Sequence, residues 1–311
     1  RLLEKFFDGI VAKGRAAGGV KAAIFNWALG VVLEWEPEKE GRGMYGVKLK
    51  VARKLVFSKV KEALGMSGIK AVASGSAALQ ARLARFFNGA GIPVLEGYGL
   101  TETSPVVTVN TVNSPGMLRI GTVGKVVDEV EVGFASDEEI LVRGPNVMIG
   151  YYKDQAKTDE VIKDGWFHTG DKGELDPEGF LKITGRKKEI FKTSGGKYVA
   201  PALLENALKA SLFIEQVMVV GENQKHPSAL VSPDTGVVRE WCKRHNHQYP
   251  EDEKIGEDSV IAGKIMEEVD RLMKPFSKWE QVKVIRIIAE PFTIEGGELT
   301  PTLKLKREPI K

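Results

Sequence analysis

The chain has 311 residues, 42% hydrophobic and 28% charged, a balance that excludes extended disorder and leaves room for two domains with cores of their own. Its net charge of +3 is too small to point to a nucleic-acid partner. The single cysteine, Cys242, excludes an internal disulfide framework and fits a reducing compartment, cytoplasmic or plastid-like, and no apolar run reaches the length of a membrane span.

In chain order, residues 1–34 and 46–65 read as helices. Leu2, Leu3, Phe6, Phe7 and Ile10 carry the helical spacing in the first, and Val47, Leu49, Val51, Leu55 and Val60 in the second. Residues 34–46 hold Pro and Gly among charges and read as a loop. Residues 1–70 contain 14 Lys/Arg against 7 Asp/Glu. With Phe6, Phe7, Phe25 and Trp27 this basic front end admits peripheral contact with an anionic membrane surface; a solvated helical face over an ordinary core is the plain alternative.

Residues 69–76 form a short apolar run suited to a buried parallel strand, 76–91 a helix ending at glycine, and 92–103 a strand entering a glycine-rich turn. Strand, helix, strand is the unit of a parallel α/β sheet. The short strands 121–127, 130–134, 138–144 and 180–185 predict a small antiparallel, barrel-like subdomain. Beyond Arg186 a compact α+β domain is expected, with helices at 200–211, 235–246 and 259–274, strands at 214–222, 226–234 and 281–293, and a polar tail. His245 and His247 lie among polar residues without a nearby cysteine, which predicts a surface loop and no zinc site.

Three segments carry chemistry. In the first, residues 96–103 read EGYGLTET. Gly97 and Gly99 let the backbone turn close to a ligand, Thr101 offers a hydroxyl to phosphate oxygens, and Glu102 offers a hard carboxylate suited to Mg²⁺. A plain tight turn explains the same residues. Glu102 stands where a dinucleotide fingerprint needs its third glycine, and no Gly-Lys pair is followed by Ser or Thr, so neither a Rossmann fingerprint nor a P-loop is present.

The second segment, 164–201, sets polar groups in glycine-punctuated turns. Asp171 suits a ribose diol, Arg186 is a rigid donor fork, and Lys188, Lys192 and Lys197 add charge; a solvated basic turn is the alternative. The third is the tail, with Lys304 and Lys306, which unaided reads as an exposed basic end.

Together these segments resemble the adenylate-forming superfamily of acyl-CoA synthetases, luciferases and peptide-synthetase adenylation domains. GYGLTET is similar to its Tyr-Gly-x-Thr-Glu motif, DGWFHTGD to its Thr-Gly-Asp motif, and GRKKEIFKTSGGKYVAP to its hinge motif, in order from about residue 70 to the end. TSGGKYVAP and LTPTLKLKR look like the long-chain fatty acyl branch.

The resemblance implies an α/β fold: a partial large domain over residues 1–186, with a parallel α/β sheet and a β-barrel-like subdomain, and a small mobile α+β domain over 187–311. It implies ATP, Mg²⁺ and coenzyme A as cofactors and a fatty acid as substrate, with no nucleic acid and no obligate protein partner. Thr101 would contact ATP phosphates and Glu102 the metal. Gly97, Tyr98 and Gly99 would line the nucleotide pocket with Gly75, Ser76 and Ala77 nearby, and Asp171 and Arg186 would hold the ribose. Lys188 matches the hinge residue, and Lys192 would assist at the phosphates. Ser194, Gly195, Gly196 and Lys197 would approach coenzyme A, and Lys304 matches the catalytic lysine, with Lys306 a second candidate because Leu303 replaces the usual glycine. The family's Ser/Thr/Gly-rich phosphate loop is not found in the chain, and the start at Arg1 reads as a cut end, so a truncated enzyme inactive by itself is expected. An acyl carrier protein as acceptor, or a non-catalytic nucleotide-binding module, are the alternatives.

Overall fold

The computed structural model describes residues 2–75, 78–112, 116–301 and 305–310. The chain divides into two units, Arg1–Thr184 and Gly185–Lys311.

The first unit opens with helices α1 (Leu2–Ala16) and α2 (Gly19–Leu33). One continuous helix was the expectation for 1–34. Gly18 and Gly19, at φ +67° and +49°, break it, because two adjacent left-handed residues cannot continue a right-handed helix. α3 (Gly43–Ala52) runs through a π turn at Arg53–Phe57 into α4 (Ser58–Ala63). Phe7 and Phe25 are buried, whereas Trp27 is 40% exposed. Phe7, Phe57 and Phe87 each meet Phe86 edge-on at centroid distances of 4.8, 5.7 and 5.0 Å, the arrangement favoured by the ring quadrupoles.

β1 (Val72–Ser74), α5 (Ala81–Gly89) and β2 (Val94–Gly99) form the expected parallel unit, with Val72 opposite Val94 and Ser74 opposite Glu96. The sheet then continues antiparallel through β3 (Val106–Val109) and β4 (Lys125–Val126), in the order β1-β2-β3-β4. A second, antiparallel sheet holds β5 (Glu131–Phe134), β6 (Glu139–Arg143), β7 (Ile162–Lys163), β8 (Trp166–Leu175) and β9 (Leu181–Arg186), with α6 (Gln155–Val161) before β7. Val107, Ile140, Val142, Phe167 and Leu181 form the core between these strands.

In the second unit β10 (Phe191–Lys192) and β11 (Tyr198–Val199) make a short hairpin before α7 (Pro201–Leu208). β12 (Ile214–Val220) and β13 (Ser228–Pro233) pair antiparallel, and β14 (Val284–Ile287) joins β13 in parallel. α8 (Thr235–Arg244) and α9 (Ser259–Met273) start at the caps Asp234 and Asp258, whose carboxylates accept Val237, Val260 and Ile261 N–H groups. Cys242, on α8, is 1% exposed among Val217, Val238, Ile265 and their neighbours. His247 sits in a loop as expected but is half-buried, 2.8 Å from the Asp258 cap.

The strand expected over 281–293 is shorter than its apolar pattern. It stops at Ile287, and beyond it Gln216 holds the backbone of Phe292, accepting its N–H at 2.6 Å and donating to its carbonyl at 3.1 Å. Phe292 then turns inward to join Met218 and Leu299 in a separate buried cluster. The tail is not a free basic end: its last described element, α10 (Arg307–Ile310), is anchored by Arg307 to Glu205.

Candidate active site

In the first unit the EGYGLTET segment lies at the carboxyl end of β2, where ligands bind in open α/β sheets. The register to β3 slips between Tyr98 and Gly99. Gly99 sits so close to the next turn that a Cβ there would lie 1.7 Å from the Pro105 carbonyl oxygen, and one at Gly97 would lie 3.0 Å from that of Thr108. Glycine is therefore required sterically at 99. Gly75, at the end of β1, faces the Gly97 carbonyl at 3.7 Å by the same measure. Ser76 and Ala77 lie outside the described residues.

A single 3₁₀ turn, Thr101–Thr103, follows. Thr103 is fully buried; its hydroxyl accepts the Leu100 N–H at 2.9 Å and donates to the Pro105 carbonyl at 2.6 Å. Ser104, at φ +56°, closes the turn. Of the two threonines, Thr103 holds the loop and Thr101 is left exposed, free to meet a ligand. Glu102 Oε1 accepts the Tyr151 hydroxyl at 2.8 Å. Burial, and then the bond to Glu102, raise the Tyr151 phenol above its usual range. One carboxylate beside an exposed hydroxyl fits Mg²⁺, which takes one or two carboxylates and completes its shell with water and substrate phosphates.

Tyr98 joins the first motif to the second, donating from its hydroxyl to Asp171 Oδ2 at 2.9 Å across 73 residues of sequence. Asp171 is itself held from below. Its N–H donates to Thr169 Oγ1 at 3.1 Å, and the Thr169 hydroxyl donates to the Ile140 carbonyl. Gly170, at φ +74°, donates its N–H to Glu139 Oε1 at 2.9 Å, and His168 Nδ1 lies 3.0 Å from Glu139 Oε2. Glu139, 5% exposed, thus orients the whole turn.

Glu96, just before the turn, is also buried, and its Oε1 accepts the Leu79 N–H at 2.8 Å. Burial pushes its carboxyl up from 4.5 to about 7, with the Leu79 bond opposing. The folded protein therefore keeps a proton that the unfolded chain releases, and this group's contribution to stability falls as pH rises from 4.5 to about 7, then stays flat. Glu96→Gln is expected to abolish that slope, on the order of 3 kcal/mol across the interval, as read from urea midpoints on both sides of it. An unchanged slope in the variant would assign the effect elsewhere.

In the second unit the carbonyl of Arg186 accepts N–H groups from Glu189 at 2.9 Å and Ile190 at 3.1 Å, which puts Lys188 at the exposed tip of a turn. Lys192 is exposed, with its Nζ 5.5 Å from the Tyr198 ring centroid. The loop Ser194, Gly195, Gly196, Lys197 is exposed but shaped: Thr193 Oγ1 accepts the Lys197 N–H, Ser194 N–H donates to the Gln224 carbonyl, and Gly196 takes φ +78°. Lys197 Nζ lies 5.2 Å from the Trp279 ring. Lys304 lies outside the described residues; Lys306 is exposed.

Sequence reasoning missed Tyr151, Glu139, Thr103 and Arg307. Thr103 was within reach, as the second hydroxyl of the motif. Glu139 begins a strand beside two other acidic residues and looks solvated, and Tyr151 stands next to the 87% exposed Tyr152 with nothing in the sequence to separate them.

The family model described as AMP-binding enzyme matches residues 31–152, and that of the AMP-binding enzyme C-terminal domain matches 188–286. Long-chain-fatty-acid–CoA ligase FadD15 of Mycobacterium tuberculosis is 40% identical over 318 residues, taking in all of this chain and 51% of that protein. Long-chain-fatty-acid–CoA ligase 1 of Homo sapiens is 35% identical, over all of this chain and 45% of its own length. The chain thus spans about half the length of the curated relatives it matches. Among solved structures, the A domain of carboxylic acid reductase from Segniliparus rugosus, in complex with AMP and a co-purified carboxylic acid, has a TM-score of 0.65 at 22% identity, over 93% of this chain and 44% of that one. The anthranilate CoA ligase AuaEII in complex with anthranoyl-AMP has 0.61 at 19%, over 92% and 48%. These likenesses are of fold. With both family models matched in order and the Tyr98–Asp171 bond joining two of the motifs, the chain belongs to the AMP-binding enzyme family of adenylate-forming proteins.

Proposed function

We propose that this chain serves a long-chain fatty acid–CoA ligase, its first unit belonging to the large adenylate-forming domain and its second forming the small mobile one. The likeness to long-chain ligases over the whole chain carries the substrate class. The Tyr98–Asp171 bond supports the site, because it ties the phosphate-side turn to the ribose-side turn.

The reaction has two halves. A fatty carboxylate attacks the α-phosphorus of ATP, forming acyl-AMP and releasing pyrophosphate. The thiol of coenzyme A then attacks the acyl carbon, releasing AMP. Neither half needs a protein nucleophile; both need positioned charge. Thr101 offers its hydroxyl to the phosphates, Asp171 and Arg186 take the ribose, and Lys304 steadies the negative charge that builds on the phosphoryl oxygens. Mg²⁺ held by Glu102 would neutralise charge on the phosphates. The 194–197 loop receives coenzyme A once Lys304 has withdrawn.

The test is ATP–pyrophosphate exchange by the full-length gene product across a fatty-acid series, followed by transfer to coenzyme A or to acyl carrier protein. Exchange with long-chain acids and transfer to coenzyme A is the expected result. Transfer to carrier protein alone would reassign the acceptor, and nucleotide binding without exchange would make the protein a binding module.

A further inference from the structure

Beyond the motifs, one buried ion pair holds the end of the chain. The Arg307 side chain is 12% exposed and its partner Glu205 is 7% exposed. Arg307 donates to both Glu205 oxygens, Nη1 to Oε1 at 2.8 Å and Nη2 to Oε2 at 2.9 Å. It also donates to Glu189 Oε2 and to the Val219 carbonyl, each at 3.3 Å. Glu205 Oε1 accepts the Val219 N–H at 2.8 Å as well, so the pair is bound into β12. A bidentate guanidinium–carboxylate pair fixes direction as well as distance.

Two residues before Arg307, the chain is fixed again. Leu305 bridges antiparallel to Leu299, which is buried against Met218 and Phe292. Leu299 N–H donates to the Thr293 carbonyl and Lys306 N–H to that of Glu298. In sequence Lys304 adjoins Leu305 and precedes Arg307 by three residues. Glu189, the other partner of Arg307, follows Lys188 in the exposed turn, so the same guanidinium ties the base to that turn.

We infer that Arg307 is a positioning residue: its clamp on Glu205 and Glu189 holds the base from which Lys304 is presented and makes tail and turn one body. This rests on the reading of Lys304 given above. A lysine side chain has four rotatable carbons, so an unanchored base would spread its ammonium over many positions, and a 1 Å displacement of a catalytic group costs up to about 100-fold in rate.

The test uses Arg307→Gln and Arg307→Lys in the full-length gene product, with two readouts. The first separates the half-reactions. Fatty-acid-dependent ATP–pyrophosphate exchange should fall about 100-fold in Arg307→Gln, while thioester formation from supplied acyl-AMP stays within about threefold of wild type. Arg307→Lys, which keeps the charge and loses the fork, should fall in between. The second readout is amide hydrogen exchange at Leu299 and Lys306, which should lose protection in Arg307→Gln while amides of β12 and β13 keep theirs. An equal loss in both half-reactions would make Arg307 merely structural and overturn the inference, as would unchanged exchange activity or intact protection at Leu299 and Lys306. A wild type without any exchange activity would sink the functional reading, and the role of Arg307 with it.

Discussion

Gly99→Ala is expected to cost about 3 kcal/mol of stability and to remove nucleotide binding with it. A methyl group at this position would lie 1.7 Å from the Pro105 carbonyl oxygen and 2.6 Å from its carbon. No flexible side chain can yield, because both atoms are backbone. Relief requires the Pro105 carbonyl to move, yet that oxygen accepts the Leu100 N–H and lies within reach of the buried Thr103 hydroxyl. The movement would strip two hydrogen bonds from the turn that carries Thr101 and Glu102. Urea denaturation and titration with a fluorescent ATP analogue check both effects. A variant with wild-type midpoint and affinity would show that the turn relaxes freely.

Glu205→Ala is expected to cost about 3 kcal/mol, the lower end for a broken buried pair because Glu189 stays beside the guanidinium. The loss has two sources. Arg307 keeps its charge in a site without its main partner, and the Val219 N–H loses its acceptor. Replacing Arg307 with Met in the same protein should recover part of the loss by removing the stranded charge, though not the part due to Val219. Thermal or urea unfolding of the single and double variants measures this, and a double variant less stable than the single one would refute it.

The sequence made the local elements legible where chemistry is local. Asp234 and Asp258 stand just before helical patterns, and both cap the helices they precede. The glycines of EGYGLTET predicted a tight turn, and the contact at Gly99 supplies the reason. What escaped was long-range pairing of polar groups. Glu139 meets Gly170 across 31 residues and Arg307 meets Glu205 across 102. In composition each looks like a solvated charge, since charged side chains are rarely buried unless paired, and the partner is invisible in one dimension. The bond from Gln216 to the backbone of Phe292, 76 residues away, was equally invisible in the apolar pattern that predicted strand to 293.

The buried cysteine has a practical consequence. Cys242 is 1% exposed, and burial, with the Asp258 charge adding to it, pushes its thiol up, so the reactive thiolate is both scarce and shielded. Within this chain the folded background toward maleimides is therefore silent. Within this chain a single cysteine introduced at the exposed Lys225 or Lys243 would take a dye at one place only. The second unit of this chain can thus be followed by fluorescence without first removing Cys242.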